Sequence, residues 1–147
     1  MATEKEVKVW EAKQRKIIEI LEEQGLDPKL QMLKAKIMGV SYAAFLNREG
    51  EELVKYIGQY DFQEYDDLAL ESHVESLKEE ERAVITVKYG LDSDGVRITS
   101  KKTAEILEIS SHDVPNIEKR AIVLLKEAYT EYTANRRNAD AGAHLER

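Results

Sequence analysis

The stretch that decides the fold is Leu77–Leu125, LKEEERAVITVKYGLDSDGVRITSKKTAEILEISSHDVPNIEKRAIVLL. Its apolar residues recur at helical spacing in three segments separated by turn residues, which predicts three helices. Gly90 follows the first segment, where glycine suits the left-handed backbone just after a helix end. Thr99 is placed to cap the second helix, and Ser110 or Ser111 to cap the third. The last two helices would then meet at a short corner, which is typical of a helix-turn-helix.

With this spacing, the stretch resembles the C-terminal promoter-recognition region, region 4, of bacterial sigma factors. The segments V-I-T-V-K-Y-G-L-D (residues 84–92) and I-E-K-R-A-I (residues 117–122) match the family pattern in residue type and in separation. The two segments together are a specific match to the family pattern, whereas either segment alone would be weak evidence for it. The matching positions, in a stretch of about a third of the chain, are Leu77, Glu81, Val84, Ile85, Val87, Lys88, Tyr89, Gly90, Leu91, Asp92, Thr99, Leu107, Ile109, Ser110, Val114, Ile117, Glu118, Arg120, Ala121, Ile122 and Leu125.

The resemblance implies roles for particular side chains. In the family, the helix before the helix-turn-helix holds the flap of the RNA polymerase β subunit, and the recognition helix lies at promoter DNA. Carried over by position, the base-reading candidates are Ser111, His112, Pro115 and Asn116, of which the proline offers only apolar contact. The candidates for phosphate contact are Thr99, Lys101, Lys102, Lys119 and Arg120. The candidates for polymerase contact are Val84, Val87, Lys88 and Tyr89.

The chain departs from the family at the residues that would read DNA. The family's R-E-R-V-R-Q is here S-H-D-V-P-N (residues 111–116), so three arginines are replaced. Because proline is tolerated only in the first turn of a helix, the last helix should begin at Ser111 or later. Glu108 stands where the family has its corner glycine. Either the DNA target differs from the family's, or DNA reading is weak and another surface matters more.

The N-terminal part of the chain also has helical periodicity. Residues 4–24 predict a first helix, and Asp27 and Pro28 suit the N-cap and first turn of a second. Ala35, Gly39-Val40-Ser41 and Phe45 follow the generic spacing of another helix-turn-helix. Since that spacing also occurs in plain helical hairpins, and few basic residues accompany it, a structural hairpin is the favoured interpretation.

We therefore predict an all-α fold, with an N-terminal helical hairpin or bundle followed by the sigma region 4-like helix-turn-helix. The predicted segments are an N-terminal helical domain (residues 1–60), an acidic linker (61–75), the helix-turn-helix domain (76–134) and a flexible tail (135–147).

Composition limits the possible partners. The net charge of −7 argues against a large nonspecific DNA footprint. The acid is concentrated towards the N-terminus, because residues 1–75 carry 10 basic and 16 acidic side chains, whereas residues 99–137 carry 7 and 6. The chain has no cysteine, no apolar run of membrane-spanning length and a charged N-terminus, so we expect a cytoplasmic protein outside the membrane.

An enzyme is not predicted. The three histidines, His73, His112 and His144, are far apart in sequence, and no phosphate-binding or hydrolase motif is present. We expect no catalytic residue, no metal and no cofactor.

The first functional hypothesis is a transcription regulator that binds promoter DNA, RNA polymerase through its β flap, or a host sigma factor. No aromatic-rich, basic melting region is recognisable, so it would not be a complete sigma factor. Small sigma-like regulators of this size are typical of phages and prophages. The alternative is a protein-interaction module that mimics region 4 and modulates polymerase without reading DNA. A packaging or replication adaptor that uses the Ala35–Phe45 hairpin is a weaker third possibility, and a homo-oligomer remains open.

Overall fold

The computed structural model describes residues 3–40, 42–59, 64–92 and 97–145, and in these ranges the regular secondary structure consists of helices alone. The predicted all-α class is thereby confirmed. None of the helices in these ranges combines the length and apolar character needed to cross a membrane. The helices are α1 (Glu4–Glu23), α2 (Pro28–Ile37), α3 (Tyr42–Leu46), α4 (Gly50–Gly58), α5 (Asp67–Glu75), α6 (Glu79–Lys88), α7 (Ser100–Leu107) and α8 (Asp113–Leu145).

Side-chain caps fix where several helices begin. The Asp27 carboxylate accepts a hydrogen bond from the Lys29 backbone N–H at 3.0 Å, and Pro28 occupies the first turn of α2. The Thr99 hydroxyl accepts from the Lys102 backbone N–H at 3.1 Å. Both caps lie where the sequence predicts them, and each contributes about 1 kcal/mol by satisfying a backbone donor that has no partner inside its helix.

The main hydrophobic core joins the N-terminal and C-terminal parts of the chain. Ile17 of α1, Leu33 of α2 and Ile57 of α4 are buried in the same cluster as Ile85 of α6 and Leu125 of α8. Residues predicted to form two domains thus pack on one another through shared apolar contacts. The position of the helix-turn-helix candidate therefore depends on the N-terminal helices.

Much of the predicted acidic linker is helical. Residues 67–75 form α5, and its Leu70 and Val74 are buried one helical turn apart. Asp66 caps the helix by accepting from the Ala69 backbone N–H at 3.3 Å, and Asp67 pairs with buried Lys34 of α2 at 2.5 Å. Part of the acidity that predicts a linker thus serves as a helix cap and as an ion-pair partner. The linker residues 61–63 lie outside the described ranges.

The last helix is longer than the sequence predicts. α8 continues to Leu145, so the backbone of residues 135–145 is helical where a flexible tail is expected. Alanine, the residue with the highest helix propensity, recurs in this segment. Arg136 also donates to the Glu64 carbonyl at 3.0 Å, which ties this part of α8 to the turn before α5.

An aromatic cluster holds α5 against the middle of α8. The Tyr65 ring is fully buried and stacks on Tyr129 and Tyr132, with ring centroids 4.8 and 5.4 Å apart. Its hydroxyl is hydrogen-bonded to Nδ1 of His73. Burial, together with the neighbouring Tyr132 and Tyr129, raises the pKa of Tyr65, so the phenol stays protonated.

We predict that Tyr65→Phe lowers the free energy of unfolding by about 1 kcal/mol, because only the hydroxyl and its hydrogen bond are lost. Tyr65→Ala should lower it by about 3–5 kcal/mol, because the stacked ring is removed and leaves a cavity. Urea unfolding followed by circular dichroism measures both values. Equal losses in the two variants would show that ring stacking contributes little here.

Candidate nucleic-acid interface

A second, smaller apolar cluster holds α6, α7 and the start of α8 together. Thr103, on the inner face of α7, is fully buried beside it. The cluster consists of Val84, Ala104, Val114 and Ile117, with Leu107 and Ile109 packed against it. Its members come from the three segments in which the sequence predicts three helices. The apolar spacing is therefore explained by their mutual packing.

The chain turns between α7 and α8 at Glu108. This residue has left-handed backbone angles, φ 58° and ψ 42°, and the following Ile109 N–H donates to the Ala104 carbonyl at 3.1 Å. A residue with a Cβ pays about 1 kcal/mol or more for this conformation, which explains why glycine suits the position. The Ser110 hydroxyl then accepts from the His112 N–H at 3.2 Å, just before α8 begins. Pro115 falls in the first turn of α8, as the sequence requires.

A buried ionic network fixes the end of α6 against α8. Lys88 Nζ lies 2.7 Å from one carboxylate oxygen of Glu118, and the Tyr89 hydroxyl donates to the other oxygen at 2.7 Å. Lys88 also donates to the Ser100 hydroxyl at 3.1 Å, so the same ammonium reaches the first residue of α7. The Lys88 ammonium thus links all three helices of the unit.

The electrostatics of this network favour an ionised carboxylate. Burial alone would raise the pKa of Glu118, but the hydrogen bond and positive charge of Lys88, together with the Tyr89 hydroxyl, hold that pKa below its ordinary value. The carboxylate has its charge compensated by the ammonium, and each of its two oxygens accepts one hydrogen bond at 2.7 Å.

The segment that leads into α7 is tied to α1 by a buried side chain. Gln14 Nε2 donates to the Arg97 carbonyl at 2.8 Å, and Gln14 Oε1 accepts from the Arg97 N–H at 2.6 Å. The Arg97 guanidinium lies 5.3 Å from the centre of the Tyr89 ring. Sequence reasoning missed this contact, because a glutamine within a charged helix gives no sign of the backbone that it will pair with.

The residues predicted to contact DNA are all exposed at the ends of helices that meet at this corner. Most lie in or next to the first turns of α7 and α8. At α7 they are Thr99, Lys101 and Lys102, and around the start of α8 they are Ser111, His112, Pro115, Asn116, Lys119 and Arg120. Asn116 and Lys119 lie on one face of α8 at helical spacing, and His112 precedes the first residue of the helix. The Thr99 hydroxyl already serves as an N-cap, and Arg120 pairs with exposed Glu80 at 3.5 Å.

Of the four residues predicted to contact polymerase, three are buried. Val84 belongs to the small apolar cluster, and Lys88 and Tyr89 hold Glu118. Only Val87 is partly accessible. Polymerase contact by α6 remains a prediction, and in this conformation Val87 is the member of the set that can make it.

The exposed charges around the corner are mixed. Lys101 and Lys102 of α7 share their helix with Glu105, and the cations of α8 share theirs with Asp113. Among the described residues, no group of three or more acidic or imidazole side chains is arranged to hold a metal ion. The three packed helices therefore present several exposed polar side chains on one surface.

Comparison of the chain with protein-family models, with curated protein sequences and with solved structures found no match.

We predict that Glu118→Gln lowers the free energy of unfolding by about 3–5 kcal/mol at pH 7, because it leaves Lys88 buried without a counter-charge. The carboxylate stabilises the fold above its ordinary pKa of 4.5, and this stability is lost as pH falls through the lower folded-state pKa. The variant should therefore lose less stability than the wild type as pH is lowered from 5 into the range below 4.5. Urea unfolding across this range measures the difference.

The double variant Lys88→Met/Glu118→Leu is the control, because it removes both charges at similar volume. It should be more stable than Glu118→Gln at pH 7, since neither partner is left uncompensated. A double variant as unstable as Glu118→Gln would contradict the assignment of the loss to an unpaired ammonium.

Proposed function

We propose that this protein is a transcription regulator in which α6, α7 and α8 form a sigma region 4-like helix-turn-helix. In this proposal the unit binds promoter DNA, RNA polymerase or both, and the protein works beside a complete sigma factor. The observation that carries the proposal is the exposed polar face at the start of α8, held in place by the buried contacts of Glu118 with Lys88 and Tyr89. Phage or prophage origin is part of the same proposal.

The start of α8 suits the role of a recognition helix. In a helix-turn-helix, the N-terminal residues of the second helix contact base edges in the major groove. From His112, just before α8, to Lys119 the chain extends about 10 Å, and the major groove, about 12 Å wide, admits an α-helix. Asn116 can pair with adenine through two hydrogen bonds, and Lys119 can contact a phosphate beside it. Pro115 adds an apolar surface suited to a thymine methyl group.

Contacts to phosphates would be few. Lys101 and Lys102 at the start of α7, with Arg120 of α8, are exposed and can reach a DNA backbone on either side of the recognition helix. Three or four such contacts give a shallow salt dependence, since each one releases about one counterion. With a net charge of −7, nonspecific affinity should be low, so base contacts would supply most of the discrimination.

The second candidate is a protein-interaction module that mimics region 4 and modulates polymerase without reading DNA. Exposed apolar side chains in the same unit favour it, because Ile106, Val123 and Leu124 are 54%, 47% and 42% accessible. Val123 continues the face of α8 that carries Asn116 and Lys119. An apolar residue on that face suits a protein partner, such as the polymerase β flap or a host sigma factor, better than phosphates.

We predict that the purified protein selects a defined sequence from a pool of random duplexes, and that Asn116→Ala weakens binding to that sequence by about 5- to 150-fold. Lys119→Ala should weaken binding to all sequences similarly and reduce the salt slope by about 1 if the side chain contacts phosphate. Lys126→Ala, two turns further along α8, is the matched control and should bind as the wild type does. Fluorescence anisotropy across a salt series measures the affinities.

The two candidates make different predictions in the same assay. A protein that selects no sequence, yet binds a purified polymerase β flap domain, would support the interaction module and exclude promoter reading by α8. If the protein binds no DNA sequence, no flap domain and no host sigma factor, both candidate functions are contradicted.

A further inference from the structure

A groove with an apolar floor lies between α1 and the segment that leads from α3 into α4. Its volume is about 280 Å³. Phe45 and Leu53 form the floor, and Ala12 of α1 forms one side. The remaining residues that line it are Lys13, Lys16, Arg48, Glu49 and Gly50. Phe45 and Leu53 are 1% and 3% exposed, so the floor is narrow and offers contact to one or two apolar side chains at most.

Positive charge predominates at the rim. Lys13, Lys16 and Arg48 line it with a single carboxylate, Glu49, in a chain whose net charge is −7. Arg48 is held in position, because its guanidinium lies 3.7 Å from the centre of the Tyr56 ring and donates to the Ala44 carbonyl at 2.5 Å.

The Lys16 ammonium at the rim is available to a partner, and Lys13 is half-buried. The one ion pair of Lys16 in the described structure is with Glu19 of the same helix at 3.7 Å, and both side chains are 63% exposed. Exposed pairs of this kind contribute under about 1 kcal/mol, so they exchange readily for a better-placed carboxylate.

A second, shallower depression lies along α1 towards its N-terminus. Glu4, Lys5, Lys8 and Val9 line this depression, which shares Ala12 with the groove, and Lys8 Nζ lies 4.0 Å from the Glu4 carboxylate. The Val9 side chain is 49% exposed. From Lys5 to Lys16, the exposed face of α1 therefore combines cations with small apolar side chains over about 17 Å, or three helical turns. Glu6 lies on this same face, two helical turns before Lys13, so the excess of positive charge is confined to the groove itself.

We propose that the groove between α1 and the segment from α3 into α4, here called the α1 groove, docks an acidic amphipathic helix of a partner protein. A helix laid into a groove places apolar side chains at intervals of three or four residues on the floor, and its flanking carboxylates then meet the rim cations. Complementary charge gives such a complex its register and its rate of association. Nucleic acid fits less well, because phosphates would leave the apolar floor unused.

This inference goes beyond the proposed function and does not depend on it. The residues of the α1 groove belong to α1, α3, α4 and the turn between the last two, whereas the proposed DNA contacts belong to α7, α8 and the residues just before them. Loss of one activity should leave the other unchanged, so the failure of either proposal can be recognised separately.

The test uses the full-length protein and an array of 12-residue peptides. Each peptide carries leucine or phenylalanine at two positions four residues apart, and zero to four glutamates at the flanking positions, with alanine elsewhere. We expect binding to rise with the number of glutamates, and only when both apolar positions are filled. Binding should fall as salt rises, because exposed charges are screened over about 8 Å at physiological ionic strength.

Two variants locate the binding surface. Lys13→Gln/Lys16→Gln should weaken the best peptide about fivefold, through loss of two exposed charge pairs. Ala12→Glu should weaken it at least about tenfold, because it adds a carboxylate and bulk at the groove wall. The matched controls are Lys29→Gln/Lys55→Gln and Ala134→Glu, which make the same changes at exposed positions outside the groove. They should bind as the wild type does.

Three results would overturn the proposal. In the first, no peptide binds, or binding is unchanged in both groove variants. In the second, a random-sequence DNA duplex displaces the bound peptide from the wild type but not from the Lys13→Gln/Lys16→Gln variant, which would assign the face to nucleic acid. In the third, vesicles containing anionic lipid bind the wild type but not the groove variants, which would assign it to a membrane surface.

Discussion

The buried contact between Glu118 and its two donors is the interaction on which the candidate site depends. Lys88 and Tyr89 are adjacent at the end of α6, and both reach the same carboxylate on the second turn of α8. A buried ion pair contributes little net stability, since removing the charges from water offsets most of their attraction. Its contribution is geometric, because only one rotation of α8 brings both carboxylate oxygens to these donors. That rotation directs His112, Asn116 and Lys119 outwards.

Other polar contacts extend this constraint to the N-terminal helices. Gln14 pairs with both backbone groups of Arg97, and Lys34 pairs with Asp67 at the start of α5. Each contact joins residues that are far apart in sequence, and each has at least one side chain that is almost fully buried. Since apolar contacts have little directional preference, these directional bonds select one arrangement among several that would bury similar area.

The sequence predicts local features of this fold well and long-range pairings poorly. The caps at Asp27 and Thr99 and the positive φ of Gly90 are read from the residues themselves, because each depends on its own backbone neighbours. The helix α5 is missed because its acidic residues resemble those of a linker. Its cap at Asp66 and its partner Lys34 become apparent only once the chain has folded.

In the candidate site, too, the sequence predicts local features but not long-range pairings. Exposure of the residues at the start of α8 agrees with the spacing of their apolar neighbours, since Val114 and Ile117 must face inwards. Lys88 and Tyr89 are different, because a lysine and a tyrosine at the end of a helix are usually at the surface. Their burial follows from Glu118, thirty residues away from Lys88. The residue pattern of one helix therefore cannot distinguish a side chain that contacts polymerase from one that forms a buried contact within the protein.

The charge distribution bears on how the two proposed surfaces would act in one protein. The DNA candidate has three or four cations, with carboxylates close by, so its affinity for a promoter should be modest at physiological salt. A second attachment through the α1 groove, to a partner already bound near the promoter, would raise the local concentration of α8 at its site to about the millimolar range. Weak but selective base contacts would then suffice, because tethering would supply occupancy and the proposed Asn116 contact would supply the choice of sequence. In such an arrangement, the acidic character of the rest of the chain limits binding elsewhere on DNA, and so favours the tethered site.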